Sequence, residues 1–191
     1  MALKYFDEWT TEGVEIRDAG LKMYIRLEPT LVLHGGGRHA GKQFGKATVP
    51  IVERLMNKLM RSGPGAGKLR GKVIRGVAAC GKKHKAYEIV RRSFKKIAEQ
   101  TKKNPIQVLI DAVQNSAPRE ETTRIRYGGI AYYVSVDSAP QRRLDIALKN
   151  LAGGAFATSF SSKKPIEDCL VGELILAANN AGSSDRHFTP Y

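Results

Sequence analysis

Cysteine is scarce in this chain. Cys80 and Cys169 are the only two in 191 residues, too few for a disulfide framework and in keeping with a reducing compartment. No run of 18 apolar residues occurs, so no segment is predicted to span a bilayer. The first residues, Met1–Trp9, lack a hydrophobic signal region, and a cytoplasmic location is expected. The most telling shortage is of acids in the middle third. Residues 32–104 hold 19 basic and 3 acidic side chains, net +16, whereas residues 1–31 are net −2 and residues 105–191 are net 0. All of the overall +14 therefore lies in one block. Such a block attracts a polyanion, either nucleic acid or an anionic membrane surface.

Catalytic patterns are also missing. Gly36-x-x-x-x-Gly41-Lys42 nearly matches a phosphate-binding loop, but Gln43 stands where Ser or Thr must hold magnesium, and no helix start follows. Cys80 and His84 have a ligand-like spacing, yet a zinc site needs a second such pair, and Cys169, His34, His39 and His187 are remote and unpatterned. No paired carboxylate, histidine dyad or nucleophile elbow stands out. The residues give no reason to expect an enzyme, a metal or a cofactor.

What is present is clearest at residues 119–137. Two alternating runs flank Gly128-Gly129, which predicts a β-hairpin with a two-residue primed turn. Closing it there sets Tyr127 opposite Ile130, Ile125 opposite Tyr132 and Thr123 opposite Val134, giving one apolar face able to sit on a core. The other face pairs Arg126 with Ala131 and Arg124 with Tyr133, offering cations and a flat ring to a partner. The plainer reading is an amphipathic hairpin with a solvated outer face.

Around the hairpin the apolar period is helical. Val52, Leu55, Met56, Leu59 and Met60 mark a helix after Pro50. Residues 85–101 bury Ala86, Val90, Phe94, Ile97 and Ala98 and set Arg91, Arg92, Lys95 and Lys96 on the opposite side. The plainer reading is a solvated face; only Glu88 and Glu99 on that helix can compensate these four, so something anionic nearby is the favoured expectation. Asn104-Pro105-Ile106-Gln107 reads as a capped start, with Gln107 reaching back to the cap and Pro118 ending the helix. Pro140 starts a further helix with Arg142 and Arg143 in its first turn. They oppose the helix dipole, again pointing to an outside anion. Gly153-Gly154 is expected to weaken or end it. Pro165 opens the last helix, which carries Cys169 in its core.

Before residue 48, short strands are expected at Val14–Ile16 and Lys22–Leu27. A basic Gly-rich loop with Arg38, His39, Lys42 and Lys46 follows. A second Gly-rich basic stretch, 62–85, allows a short helix at Lys72–Cys80. The expected architecture is mainly α: a bundle of about five or six helices with a protruding hairpin and an irregular basic N-terminal arm. Its divisions are an arm over 1–47, a helical RNA-binding domain over 48–180 containing the hairpin 119–137, and a tail over 181–191.

Six short motifs occur in order: Val49–Leu55, Asn104–Val108, Pro118–Glu121, Thr123–Ile125, Tyr127–Gly129 and Pro140–Arg143. As an ordered set they resemble the universal small-subunit ribosomal protein seven family in its archaeal–eukaryotic form, over about residues 14–180. The resemblance implies a helical bundle with a projecting hairpin that binds small-subunit ribosomal RNA and nucleates its 3′ major domain, the head. It implies a hairpin at the exit site, near messenger RNA and exit-site transfer RNA, with Arg124, Arg126 and Gly128-Gly129 in that position. It assigns ribosomal RNA contact to Arg142, Arg143 and Gly81–His84, and implies small-subunit proteins nine and eleven as neighbours. Residues 64–80 resemble an insertion against shorter members; no family role transfers to it, and extra RNA contact is expected there only from its own basic residues Lys68, Arg70, Lys72 and Arg75. The candidate RNA-binding set is completed by Lys82, Lys83, His84, Lys85, Tyr127 and Tyr133. On the residues alone, a helix-turn-helix DNA binder using helix 85–101 is the main competitor. An RNA-directed enzyme is the other. Preference for structured RNA over duplex DNA at equal salt separates the first from the family reading, and turnover abolished by one point change would support the second.

Overall fold

The computed structural model describes residues 3–60, 68–69, 72–73, 81–160 and 162–181. Among these, six helices run in chain order: α1 Ala19–Lys22, α2 Ile51–Leu59, α3 Lys83–Thr101, α4 Pro105–Ser116, α5 Pro140–Ser159 and α6 Ile166–Ala178. Two antiparallel strand pairs accompany them: β1 Lys68–Leu69 with β2 Lys72–Val73, and β3 Glu120–Tyr127 with β4 Ile130–Asp137. The architecture is mainly α, a helical bundle with a β-hairpin leaving it between α4 and α5.

The helix α6 lies at the centre and touches α3, α4 and α5, while α2 bridges α3 and α5. That position explains the composition of α6. Cys169, Leu170, Val171, Leu174 and Ala177 are all buried, because a helix packed on several neighbours has little solvent face. The rest of the core comes from Val52, Leu55 and Met56 of α2, Val90, Phe94 and Ile97 of α3, Ile106, Leu109, Ile110 and Val113 of α4, and Leu144 and Leu148 of α5.

Caps follow local chemistry. The Asn104 side chain accepts from the Ile106 amide at 3.0 Å and Pro105 occupies the first turn of α4. At the far end Ala117 is extended, as a residue before proline must be, and α4 stops. Gln107 does not reach back to the cap. It accepts from the Glu15 amide at 2.9 Å and donates to the Glu15 carbonyl and to Asp111. The N-terminal arm supplies better partners than the helix's own end.

That arm departs from the expected strands. Val14–Ile16 is irregular, and residues 19–22 form α1, with the Asp18 carboxylate accepting from the Gly20 amide at 2.9 Å. Tyr5, Phe6, Leu21, Ile25 and Leu33 are buried in the same core as the helices. Phe6 meets the edges of Tyr87 and Phe94 at 5.0 and 5.7 Å. The arm is held by side-chain insertion rather than by a sheet, and its alternating residues reflect anchor points.

Gly153-Gly154 does not end α5, which runs on to Ser159. Gly154 is buried against α6, where an added Cβ would lie 3.0 Å from the Glu173 carboxyl carbon. The glycine there is a spacer between two close helices, and that packing outweighs its poor helix propensity. Lys72-Val73, expected to open a short helix, is a strand; the remainder of that stretch, including Cys80, lies outside the described residues, as does the tail from residue 182.

Candidate nucleic-acid interface

The hairpin β3–β4 has the register that its sequence predicts, with Tyr127 opposite Ile130, Arg126 opposite Ala131 and Arg124 opposite Tyr133. Gly128 and Gly129 have φ of 57° and 84°, the left-handed pair that a two-residue primed turn requires. One expectation fails. The apolar face does not sit on a core: Ile125, Tyr127, Ile130, Tyr132, Val134 and Val136 are all exposed. Beyond its base the hairpin makes extensive contact only between its own strands, and their ladder satisfies the backbone without a supporting layer. Both faces are therefore presented outward. Arg124 and Arg126 have no hydrogen-bond or ionic partner among the described residues, and Tyr133 stands exposed beside them.

The base of the hairpin is tied firmly. The Ser138 amide donates to the Arg119 carbonyl at 2.9 Å. Arg142 pairs with Glu121 at 2.7 Å. Arg143 donates to the Pro118 carbonyl at 3.0 Å and pairs with Asp18 at 2.8 Å. These contacts correct the expectation that an outside anion must explain basic residues in the first turn of α5. Arg143 is largely buried, and its role in the free protein is to join the hairpin base to the arm. Arg142 keeps an exposed outer edge. Burial pushes the Asp18 carboxyl up, but the Arg143 hydrogen bond and charge, with the Gly20 amide, overcome this and hold it below the usual carboxylate range.

One turn further along α5, Asp145 gathers three cations: Lys46 at 2.7 Å, Arg54 at 3.3 Å and Lys58 at 3.3 Å. Arg54 is only 3% exposed and also donates to the Tyr24 carbonyl. Burial raises the Asp145 carboxyl, and the Lys46 hydrogen bond with the charges of Lys58 and Arg54 more than offsets it, so the group stays ionised below the ordinary range. Burial in turn lowers Arg54. Lys46, expected to be available for RNA in the basic loop, instead fastens that loop to α5.

A second carboxylate organises the loop's other end. Glu53 in the first turn of α2 is buried; it accepts from the Gly35 amide at 2.7 Å and pairs with Lys83 at 2.6 Å. The clip holds the loop beside the start of α3. Around it Arg38 and Lys42 of the loop, Lys82 just before α3, and His84 and Lys85 in its first turn are exposed and without ionic partners among the described residues, and His39 is partly exposed. Lys83 is the exception, held inward.

On α3 the four expected surface cations are compensated, but not by their own helix alone. Lys95 and Arg91 meet Glu8 of the arm at 2.8 and 3.9 Å. Arg92 meets Glu167 at 3.2 Å and Glu88 at 4.0 Å. Lys96 pairs with Asp168, and Glu167 lies 3.8 Å away. The Asp168 hydrogen bond raises the Lys96 ammonium above its usual value. Glu167 and Asp168 sit in the first turn of α6, where the dipole also favours them. Four cations thus face four acids, so the sequence-based expectation of an uncompensated α3 face is wrong. An anion approaching this face meets a surface near neutrality, which weakens the case for α3 entering a DNA groove.

The side chains of Lys68 and Lys72, and all of Arg70 and Arg75, lie outside the described residues. Two organising residues were not singled out from sequence, Glu53 and Asp145. For Glu53 a signal existed: it is the one acid between Glu28 and Glu88. For Asp145 no local signal exists, because its partners lie 87 to 99 positions away by the numbering of Lys58 and Lys46.

The arrangement is that of a binding protein: exposed cations without ionic partners among the described residues lie on a projecting hairpin and around a clipped loop, and the bundle that carries them sets acids against Lys46, Arg54, Lys58, Arg91, Arg92, Lys95 and Lys96. Among the described residues no helix is long and apolar enough to cross a membrane. The family model for ribosomal protein S7p/S5e matches residues 25–187. The chain belongs to that family. It is a ribosomal protein of the small subunit that binds ribosomal RNA, and the family is one of structural proteins rather than enzymes.

Proposed function

We propose that this member of the ribosomal protein S7p/S5e family is a primary binder that nucleates the 3′ major domain of small-subunit ribosomal RNA, the head of the subunit. Its hairpin lies at the exit site, beside messenger RNA and exit-site transfer RNA, and its protein neighbours include small-subunit proteins nine and eleven, in cytoplasmic ribosomes. The observation that carries this reading is the convergence on the first two turns of α5. There Arg142 and Arg143 hold the hairpin base and the arm, and Asp145 holds the basic loop and α2. One rigid element thereby fixes two cationic surfaces relative to each other, as shape-specific recognition of a folded RNA requires.

In this reading Arg124, Arg126, Tyr127, Tyr133 and the Gly128-Gly129 turn meet unpaired or exposed nucleotides. Arg38, His39, Lys42, Lys82, His84 and Lys85 meet ribosomal RNA phosphates, with the insertion's Lys68, Arg70 and Lys72 adding to them. Arg91, Arg92, Lys95, Lys96 and Arg142 contribute through their outward edges, discounted by the acids they already face. Lys46, Lys83 and Arg143 act mainly by holding these surfaces in place.

The test is binding to a 3′ major-domain fragment of small-subunit ribosomal RNA, against duplex DNA and unrelated RNA, over a salt series. Affinity that survives both competitors supports the reading. Equal affinity for every polyanion, lost together as salt rises, rejects it.

A further inference from the structure

We propose that Phe44 is a stacking platform for one unpaired nucleobase of ribosomal RNA, flanked by phosphate contacts from Arg38 and Lys42. The inference rests on the RNA-binding reading above and adds a site to it. Phe44 is 63% exposed, in the middle of the basic loop. A single exposed aromatic is ordinary, but its backbone is not. Phe44 has φ of 56°, a left-handed conformation that a bulky side chain adopts only at a cost.

The surrounding loop is built to impose it. Gly45 follows and is buried so tightly that an added Cβ would collide with the His39 carbonyl oxygen. The Gly45 amide donates to the Lys42 carbonyl at 3.0 Å, and the Ala47 amide donates to the Phe44 carbonyl at 2.9 Å. The Thr48 hydroxyl donates to the Gly45 carbonyl at 2.7 Å. The Lys46–Asp145 pair then anchors the loop to α5, and the Gly35–Glu53 bond anchors its entry. The ring is thus held outward on a fixed frame instead of folding onto the apolar surface it would otherwise seek.

Chemistry selects the occupant. The exposed neighbours are Arg38, Lys42 and Gln43, and no acid occurs between Glu28 and Glu53. A flat apolar ring among unpaired cations suits a base with its phosphate, since every base offers a π-face and the backbone supplies the negative charge. An apolar protein partner would be better matched by apolar flanks.

The experiment uses the full chain and the same 3′ major-domain RNA fragment. Phe44→Ala should weaken binding about tenfold with no change in salt slope, whereas Lys42→Ala should lower the slope by about one. Trp9 is the chain's single tryptophan, so Phe44→Trp in a Trp9→Phe background places a lone reporter in the loop. It should bind as well as wild type, and its emission should be quenched when the base stacks. Thermal unfolding of each variant checks the fold, and the tryptophan variant keeps the test valid if Phe44→Ala is poorly folded. Phe44→Ala within twofold of wild type, or unquenched emission in a bound complex, overturns the inference and leaves the function standing. A wild-type chain that shows no preference for the fragment over duplex DNA overturns the function, and this inference with it.

Discussion

Arg124 and Arg126 on the hairpin and Arg92 and Lys96 on α3 are alike in type, and both pairs occur on regular elements whose opposite side is apolar. Their surroundings differ completely. Among the described residues the hairpin pair projects with no acid in ion-pair reach, whereas Arg92 and Lys96 meet Glu167 and Asp168 from the N-terminus of α6. The difference lies in which element is packed alongside. A cation becomes available to a partner only where the fold brings no carboxylate to it, so counting basic residues on one helix face overstates its affinity for RNA. The same contrast holds within a few residues of chain, where Lys42 has no ionic partner among the described residues and Lys46 is bound to Asp145.

The largest effect should come from breaking the internal class. Asp145→Ala leaves the buried Arg54 beside Lys46 and Lys58 without the carboxylate that the three share. We expect about 3 kcal/mol or more of lost stability, measured by urea unfolding, as for other half-broken buried pairs. A loss below about 1 kcal/mol would mean that solvent already screens the cluster and that the two charge classes differ less than their geometry implies.

Breaking the external class should do the converse. Arg124→Ala with Arg126→Ala should leave unfolding within about 0.5 kcal/mol of wild type, since that face is outward, yet lower the salt slope of RNA binding by about two. Loss of cooperative unfolding in this double variant would place the arginines in the structural class instead.

Acid should distinguish them next. The Asp145 and Asp18 carboxyls are held below their ordinary values in the folded chain. Each therefore contributes stability that is present above the unfolded value of about 4 and is lost as pH falls through the lower folded value. The urea midpoint should drop as pH falls below about 4, and Asp145→Asn should flatten that drop. A midpoint independent of pH between about 5 and 2 would contradict the depressed values.

The smallest effect is expected on α3. Arg92→Ala with Lys96→Ala should cost at most about 1 kcal/mol of stability, because the pairs are largely exposed. It should change the RNA salt slope by clearly less than the hairpin double variant does. An equal change in slope would show that Glu167 and Asp168 release these cations when RNA arrives.

Elements whose cause lies within a few residues were legible without a structure. The Gly128-Gly129 turn set the register of every pair in β3–β4, and Asn104-Pro105 marked the start of α4. Features whose cause lies elsewhere in the chain were not. Val14–Ile16 alternates like a strand, but Val14 and Ile16 pack on the common core and Glu15 bonds Gln107 of α4, while Gly153-Gly154 looks like a helix end but Gly154 is where α6 comes close. Gln107 has the spacing of a cap and instead binds the backbone of Glu15.

The candidate site divides in the same way. Composition located the positive charge, and the six ordered motifs carried the resemblance that the family match bears out. Neither could separate Arg124 from Arg143, since an ion pair such as Arg143–Asp18 joins residues 125 positions apart. By itself, then, the sequence determined the presence of the five longer helices, the hairpin with its register, the basic character of residues 32–104 and the family, because these depend on local periodicity, turn chemistry and residue content. Only the tertiary structure decided which cations are neutralised by Glu8, Glu53, Asp145, Glu167 and Asp168 and which remain open to a partner, because a charge's availability depends on distance in space, and packing sets that distance.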